Sequence, residues 1–167
     1  SFDPGGPLDA GSIIEKNAAG KFLLPLILTI KGRVENLCVE SSILGPVRIQ
    51  NDGYVEETTI SDSIIQSVDP VVKAIEVKTG RTHIDRSSIF GEVSLHRLEA
   101  SEVLITGLVN VIDTQNGCFR FSAAPKEISP NKSRLPRPYE SFLFTEDTNH
   151  WFTSRRFGDP GFAQLSD

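Results

Sequence analysis

The chain has 167 residues, a mass of 18.3 kDa and a formal net charge of -5. This length suits one domain that buries about two thirds of the surface of the unfolded chain, so folding requires no disulfide or metal. The acidic balance argues against a nucleic-acid partner, which would need clustered Lys and Arg. The two cysteines form no CxxC pair and the three histidines show no HxH, HExxH or HxxxH spacing. We therefore predict no metal site and no cofactor.

Residues 1–29 are predicted to form an N-terminal arm followed by a short helix or a first coil. The stretch SFDPGGPL (residues 1–8) is interrupted by Pro and Gly and predicts an irregular arm. Ser12 followed by Glu15 matches a capping box for a helix that ends near Gly20. The most apolar run, FLLPLILTI, has nine residues, whereas a membrane span needs about 20. We predict no membrane span, and no signal peptide is seen.

Residues 30–124 contain a repeated pentapeptide of the form apolar-x-Gly-x-Val. It occurs as IKGRV, ILGPV, IFGEV and ITGLV, with IIQSV as a degenerate copy, at steps of 13, 21, 25 and 16 residues. A unit of about 20 residues with short β-branched runs and no helix-length amphipathic segment is typical of a parallel β-helix, or β-solenoid. The alternative is a β-sandwich whose strands resemble one another. The scarcity of Asn-Gly and Asp-Gly turns favours the solenoid.

The repeat also predicts which side chains face the core. Positions i, i+2 and i+4 of a strand share a face, so the Ile, Gly and Val of each copy are expected to point inward. The residues between them would then place Leu44, Ile65 and Phe90 in an apolar stripe on the outside of one wall. Such a stripe is rarely left in water, so we expect either the chain's own C-terminal extension or another protein to cover it.

Residues 125–167 are predicted to form a loop-rich C-terminal extension that packs on the solenoid. This segment is rich in Pro, Asn and Ser and carries isolated aromatic residues, among them Trp151, that could cover the outer stripe. In RRFGDPGF, the Asp-Pro-Gly sequence favours a tight turn, and Phe157 on one side of it is a candidate anchor.

Carboxylates at the coil corners are the candidates for catalysis. Glu40, Asp62 and Asp85 fall near the same point of successive coils, and carboxylates one coil apart would lie about 5 Å from each other, close to the separation that retaining glycosidases use. Their register against the following Ser-Ile is imperfect, and polar corner residues commonly serve only as turn residues. No GxSxG, GxGxxG or P-loop sequence is present.

Three C-terminal motifs carry a resemblance to known proteins: GCFRFSAAP, RPY and FTSRRFGDPGFAQLSD. Together with the preceding IxGxV coils, they resemble a family of large uncharacterised bacterial proteins, over roughly residues 80–167. The resemblance implies a phage-tail-like or contractile-injection setting. Similar proteins continue past AQLSD, so it also implies that this polypeptide is a piece of a longer one. It supplies no catalytic residues.

We therefore expect a non-enzymatic β-solenoid that serves as a structural or adaptor module and contacts another protein. The alternative is a carbohydrate-binding or carbohydrate-cleaving β-helix, and a third hypothesis is self-association into a homo-oligomer. The expected location is the cytoplasm or a secreted phage-tail-like particle.

Overall fold

The structure is a computed structural model that describes residues 15–16, 22–23, 26–67, 69–146, 148, 151–153 and 163–166. Across these ranges the chain forms β strands and connecting turns, with no α-helix. The strands are β1 (Glu15–Lys16), β2 (Phe22–Leu23), β3 (Leu28–Ile30), β4 (Arg33–Glu40), β5 (Ile43–Leu44), β6 (Val47–Ile49), β7 (Tyr54–Ser61), β8 (Ile64–Gln66), β9 (Ile75–Asp85), β10 (Ser88–Phe90), β11 (Val93–Ser101), β12 (Leu104–Ile105), β13 (Val109–Val111), β14 (Gly117–Arg120), β15 (Ala123–Pro125), β16 (Glu127–Ile128), β17 (Asn131–Lys132), β18 (Pro138–Tyr139) and β19 (Phe142–Phe144).

The strands stack in parallel as a β-solenoid of about six coils, as the sequence predicts. One wall, called wall A here, is a six-stranded parallel sheet in the order β19-β15-β12-β10-β8-β5. The second sheet bends into two further walls: wall B contains β3, β6, β13 and the first parts of β9 and β11, and wall C contains β4, β7, β14, β18 and the second parts of β9 and β11. Each coil therefore runs through walls B, C and A in turn.

The core lies between the three walls and consists of stacked aliphatic side chains. In wall A the inward column is Leu44, Ile65, Ile89 and Ile105, each paired with the next coil. In wall B it is Val47, Ile75, Val93 and Val109. All of these residues are buried except Leu44, which is half-buried and packs on the core. Burial of apolar area at about 25 cal/mol per Å² is the main force that holds the coils together.

Glycine in the repeat allows two coils to approach at the corner between walls A and B. A Cβ atom added to Gly107 would lie 2.3 Å from the backbone carbon of Gly91 in the preceding coil. No real Cβ atom tolerates this distance, so a side chain at Gly107 would force the coils apart. The glycine of IKGRV, Gly32, lies instead between β3 and β4, with nothing within 4 Å of an added Cβ. That copy therefore marks a different corner.

Two of the three residues predicted to face outward in wall A face the core instead. Ile65 is fully buried among core residues and Leu44 packs against them, whereas Phe90 does lie on the outer side, in a separate cluster. The cause is the varying length of the corner between walls A and B: Ile89 precedes Val93 by four positions, whereas Leu44 precedes Val47 by three and Ile65 precedes Ile75 by ten. A shift of one residue exchanges the two faces of a strand.

The two ends of the chain also differ from the prediction. The capping-box pattern does not produce a helix at Glu15, because β1 pairs antiparallel with β2; Ser12 and Gly20 lie outside the described residues. The stack of coils extends beyond residue 124, since β18 and β19 add a sixth coil that reaches Phe144. An antiparallel hairpin of β16 and β17 interrupts the fifth turn. None of the described residues belongs to a helix long and apolar enough to cross a membrane.

Candidate interaction groove

The corner between walls C and A has the same backbone geometry in all six coils. A non-glycine residue with positive φ occupies it each time, although a left-handed conformation costs an L residue about 1–2 kcal/mol. In five coils the N–H of this corner residue donates to a wall C carbonyl of the next coil, at 3.0–3.2 Å. The corner residues and their φ angles are Ser41 (47°), Asp62 (49°), Arg86 (43°), Glu102 (57°), Phe121 (49°) and Glu140 (44°).

Just after this corner, a ladder of serine side chains forms hydrogen bonds with backbone N–H and carbonyl groups. Each hydroxyl donates to the carbonyl two residues earlier, as Ser63 Oγ does to Ser61 O at 2.7 Å. All except that of Ser42, in the first coil, also accept the N–H of the residue at the same place in the preceding coil, as Ser63 Oγ does from Ser42 N at 3.1 Å. Because these four hydroxyls bond both within their own coil and to the coil before it, the ladder fixes the relative position of the corners. The ladder serines are Ser42, Ser63, Ser87, Ser122 and Ser141.

C-terminal residues cover one part of the outer face of wall A. Phe152 packs edge-to-face on Phe90, with ring centroids 4.9 Å apart, and both rings are buried. Trp151 packs on Phe144 of the last coil at 5.0 Å. Residues 151–153 pair antiparallel with residues 164–166, including Thr153 N to Gln164 O at 2.8 Å. These contacts hold the two C-terminal segments against the wall.

A groove of about 660 Å³ remains open beside this cover. Its floor is the outer face of the wall A strands, its first side is the row of corner residues, and its second side is formed by Trp151 and Leu165. Several apolar side chains in it are largely exposed: Phe121 by 52%, Phe142 by 55% and Leu165 by 66%. The groove is lined by Arg86, Ser87, Ser88, Glu102, Val103, Leu104, Phe121, Ser122, Ala123, Glu140, Phe142, Trp151 and Leu165.

Asp62 and Arg86 of the corner row form an ion pair. The guanidinium of Arg86 donates from Nε to Asp62 Oδ1 at 2.8 Å and from Nη2 to Asp62 Oδ2 at 2.9 Å. This hydrogen bonding lowers the pKa of Asp62 below its ordinary value of 3.8, and it raises the pKa of Arg86. Both groups therefore stay charged at neutral pH, and Arg86 is occupied by a carboxylate of its own chain.

Of the three candidate catalytic carboxylates, Glu40 and Asp85 are not brought together as a pair. Glu40 and Asp85 share a column on the outer face of wall C, but Ser61 lies between them, so they are two coils apart, or about 10 Å. Asp62 lies one residue beyond that column, at the corner, bound to Arg86. Glu40 and Asp85 are therefore too far apart to act as the close carboxylate pair of a retaining glycosidase, and none of the three residues lines the groove.

The outer face of wall C carries a polar contact across three coils. His83 Nε2 lies 3.1 Å from Glu57 Oε1, and His83 Nδ1 lies 3.3 Å from Glu99 Oε2. These side chains join neighbouring strands and are half-exposed to exposed. Within the described part of the chain, no group of three or more His, Cys, Asp or Glu is arranged to hold a metal ion.

Of the interaction residues predicted from sequence, Trp151 lies at the candidate site, where it forms one side of the groove. Phe90 does not line the groove and forms the buried contact with Phe152. Leu44 and Ile65 belong to the core side of wall A, as described above, and Phe157 lies outside the described residues. Phe142, another aromatic residue of the C-terminal extension, is part of the wall itself.

The groove residues on the corner row were missed by the sequence analysis. No sequence motif identifies Glu102, Phe121 and Glu140, because each lies in a different local sequence. A signal does exist for most of the row: five of the six corner residues directly precede a serine that lies one residue before a wall A strand, and Glu102, which precedes Val103, is the exception. Aligning the chain on serine rather than on glycine would have placed Phe121 and Glu140 in one row.

Comparison of the chain with models of protein families, with curated proteins and with solved structures finds no match in any of the three. The groove therefore has to be interpreted from its own chemistry.

Proposed function

We propose that this chain is a non-enzymatic structural or adaptor module that contacts another protein through the outer face of wall A. The observation that carries the proposal is the groove, where Phe121, Phe142 and Leu165 each expose more than half of their surface next to Trp151. A cluster of exposed large apolar side chains with a polar rim is typical of protein interaction sites.

The shape of the fold supports a structural role. Parallel ladders join every coil to the next in both sheets, and the serine ladder adds side-chain hydrogen bonds along one corner. Such a stack resists bending because any tilt between coils breaks several backbone hydrogen bonds together. A rigid module suits an assembly in which a partner must be held at a fixed place. The motif resemblance suggests a phage-tail-like or contractile-injection particle as its setting.

The carbohydrate alternative finds less support in the described residues. Two of its candidate carboxylates, Glu40 and Asp85, lie on wall C about twice as far apart as those of retaining glycosidases, and the third, Asp62, is bound to Arg86. The aromatic side chains lie in the groove near wall A. A sugar-cleaving site needs both sets in one cleft.

Crosslinking in cells that make the full-length protein tests the proposal. A photo-crosslinking phenylalanine analogue replaces Phe142 in the groove, or Tyr54 as a control; Tyr54 is also an exposed aromatic residue but lies at the start of β7, near the corner between walls B and C. We expect one protein to crosslink from position 142 and not from position 54. Equal crosslinking from both positions, or none from position 142, would contradict the proposal.

A further inference from the structure

We propose that the groove binds an extended polypeptide segment in which apolar side chains alternate and Lys or Arg residues flank them. This inference rests on the proposed function, because it specifies the chemistry of the partner that the adaptor contacts. Three features of the groove support this inference: serine hydroxyls that are already hydrogen-bonded to the protein's own backbone, the charge of the corner row, and the length of the floor.

Two of the three serines that line the groove, Ser87 and Ser122, have hydroxyls that are occupied by the protein's own backbone. Ser87 Oγ donates to Asp85 O at 2.7 Å and accepts from Ser63 N at 3.1 Å. Ser122 Oγ donates to Arg120 O at 2.6 Å and accepts from Val103 N at 2.9 Å. A sugar ring needs several free donors and acceptors, and these hydroxyls have little capacity left. The exposed surface that remains is mainly apolar, so apolar side chains suit it better.

The corner row gives the groove an acidic side. Arg86 is paired with Asp62, so these two charges largely cancel. Glu102 and Glu140 are exposed on the same row, and no Lys, Arg or His among the described residues lies within ion-pair distance of either carboxylate. The row therefore has a net charge near -2. A segment with basic residues complements this charge, and an acidic segment is repelled.

The floor has the dimensions of a short extended chain. It follows the outward column Ser88, Leu104, Ala123 and Phe142 over three coil steps, or about 14 Å. An extended chain rises about 3.3 Å per residue, so four or five residues span the floor, and alternate side chains face it. Glu102 and Glu140 lie two coils apart, about 10 Å, within reach of Lys side chains at the ends of such a segment.

Trp151 provides a direct measurement of occupancy. It is the only tryptophan of the chain and it lines the groove, so its fluorescence reports on this site alone. The probes are two acetylated, amidated hexapeptides, Lys-Leu-Thr-Phe-Thr-Lys and Glu-Leu-Thr-Phe-Thr-Glu, titrated into the intact chain at low salt. We expect a saturable change of emission with affinity at least about fivefold tighter for the lysine peptide, and we expect 0.5 M NaCl to reduce this preference.

Charge reversal supplies the decisive comparison. The double variant Glu102→Lys/Glu140→Lys should bind the glutamate peptide better than the lysine peptide. Its matched control, Glu35→Lys/Glu56→Lys, changes the net charge equally but at exposed sites on wall C, and should retain the original preference. Circular dichroism confirms that both variants are folded. A preference that does not reverse, or that both variants change alike, would overturn the proposal.

Two further titrations separate the other occupants. If cellohexaose saturates the change in Trp151 emission and the peptides do not, the groove binds a glycan and not a polypeptide. If Trp151 emission changes with protein concentration and sedimentation shows dimers, the groove binds a second copy of the chain. Either result overturns this inference. If position 142 still crosslinks to one protein while neither peptide binds, the adaptor function stands and only the partner chemistry proposed here is wrong.

Discussion

At the scale of single residues, two threonines are out of place in an otherwise aliphatic core. Thr58 and Thr82 pair in neighbouring coils of wall C, with Leu37 and Leu98 on either side in the same inward column. Both are buried, and neither Oγ1 has a hydrogen-bond partner within the described structure. A buried hydroxyl without a partner costs about 1–3 kcal/mol, so this column is a weak point of the stack.

Replacing these threonines with valine is expected to stabilise the fold. Valine has nearly the same shape and lacks the hydroxyl, so Thr58→Val and Thr82→Val should each raise the free energy of unfolding by about 1 kcal/mol. Urea denaturation followed by circular dichroism measures the change. Thr59→Val, on the outer face of β7, is the matched control and should lie within about 0.5 kcal/mol of the parent. Destabilisation by the two buried substitutions would show that the hydroxyls do have partners.

Gly107 is expected to tolerate no side chain. In Gly107→Ala the new Cβ would meet the backbone of Gly91 at 2.3 Å, so the two coils must separate at that corner. We expect a loss of about 2–3 kcal/mol, measured by thermal or urea unfolding. Gly32→Ala provides the comparison: its φ of +73° strains an alanine by about 1 kcal/mol, but nothing lies within 4 Å of the added atom. An equal loss in both variants would mean that the repeat glycine is not required for coil spacing.

At the scale of elements, the serine ladder is expected to contribute to stability as well as to register. Ser63 is buried and bonds to Ser42 N and Ser61 O, so Ser63→Ala leaves backbone groups of two coils without this partner. The expected loss is about 1–3 kcal/mol in urea denaturation. Ser88→Ala, on the outer face of β10, should change the free energy of unfolding by less than about 0.5 kcal/mol. Equal changes in the free energy of unfolding of the two variants would indicate that water readily replaces the hydrogen bonds of the ladder.

How much of this could be predicted from sequence depends on where the chain keeps a constant spacing. The repeat identifies the solenoid because Val47, Val93 and Val109 recur inside wall B at the same distance after a glycine. It fails for Leu44 and Ile65 because corner lengths vary, and one residue more or less exchanges the faces of the neighbouring strand. Corner length depends on backbone conformation, which a pattern of apolar letters does not encode.

The groove was less predictable than the fold. It depends on which outward residues the C-terminal segments leave uncovered, and those contacts join residues far apart in the sequence, such as Phe90 and Phe152. The aromatic composition after residue 124 indicates that something packs on the wall. It does not show that Trp151 lies over Phe144 while Phe142 stays open.

At the scale of the whole molecule, the stack and its C-terminal cover are separate layers. The main core cluster lies between the walls, and the cluster of Phe90 and Phe152 lies outside wall A. The two clusters share the backbone of wall A but bury different faces of its strands. The cover can therefore be disrupted without opening the solenoid, which is the basis of the last prediction.

Two aspartate substitutions in adjacent coils of wall A test this layered organisation. Phe90→Asp removes an aromatic contact worth about 2–4 kcal/mol and places a charge under the C-terminal cover, so we expect dye binding and faster proteolysis of the C-terminal residues while the β circular dichroism signal is kept. Ile65→Asp puts the same charge into the core and should abolish cooperative folding. If Phe90→Asp unfolds the whole chain, the cover and the stack form one cooperative unit; if Ile65→Asp folds normally, the faces of wall A are assigned the wrong way round.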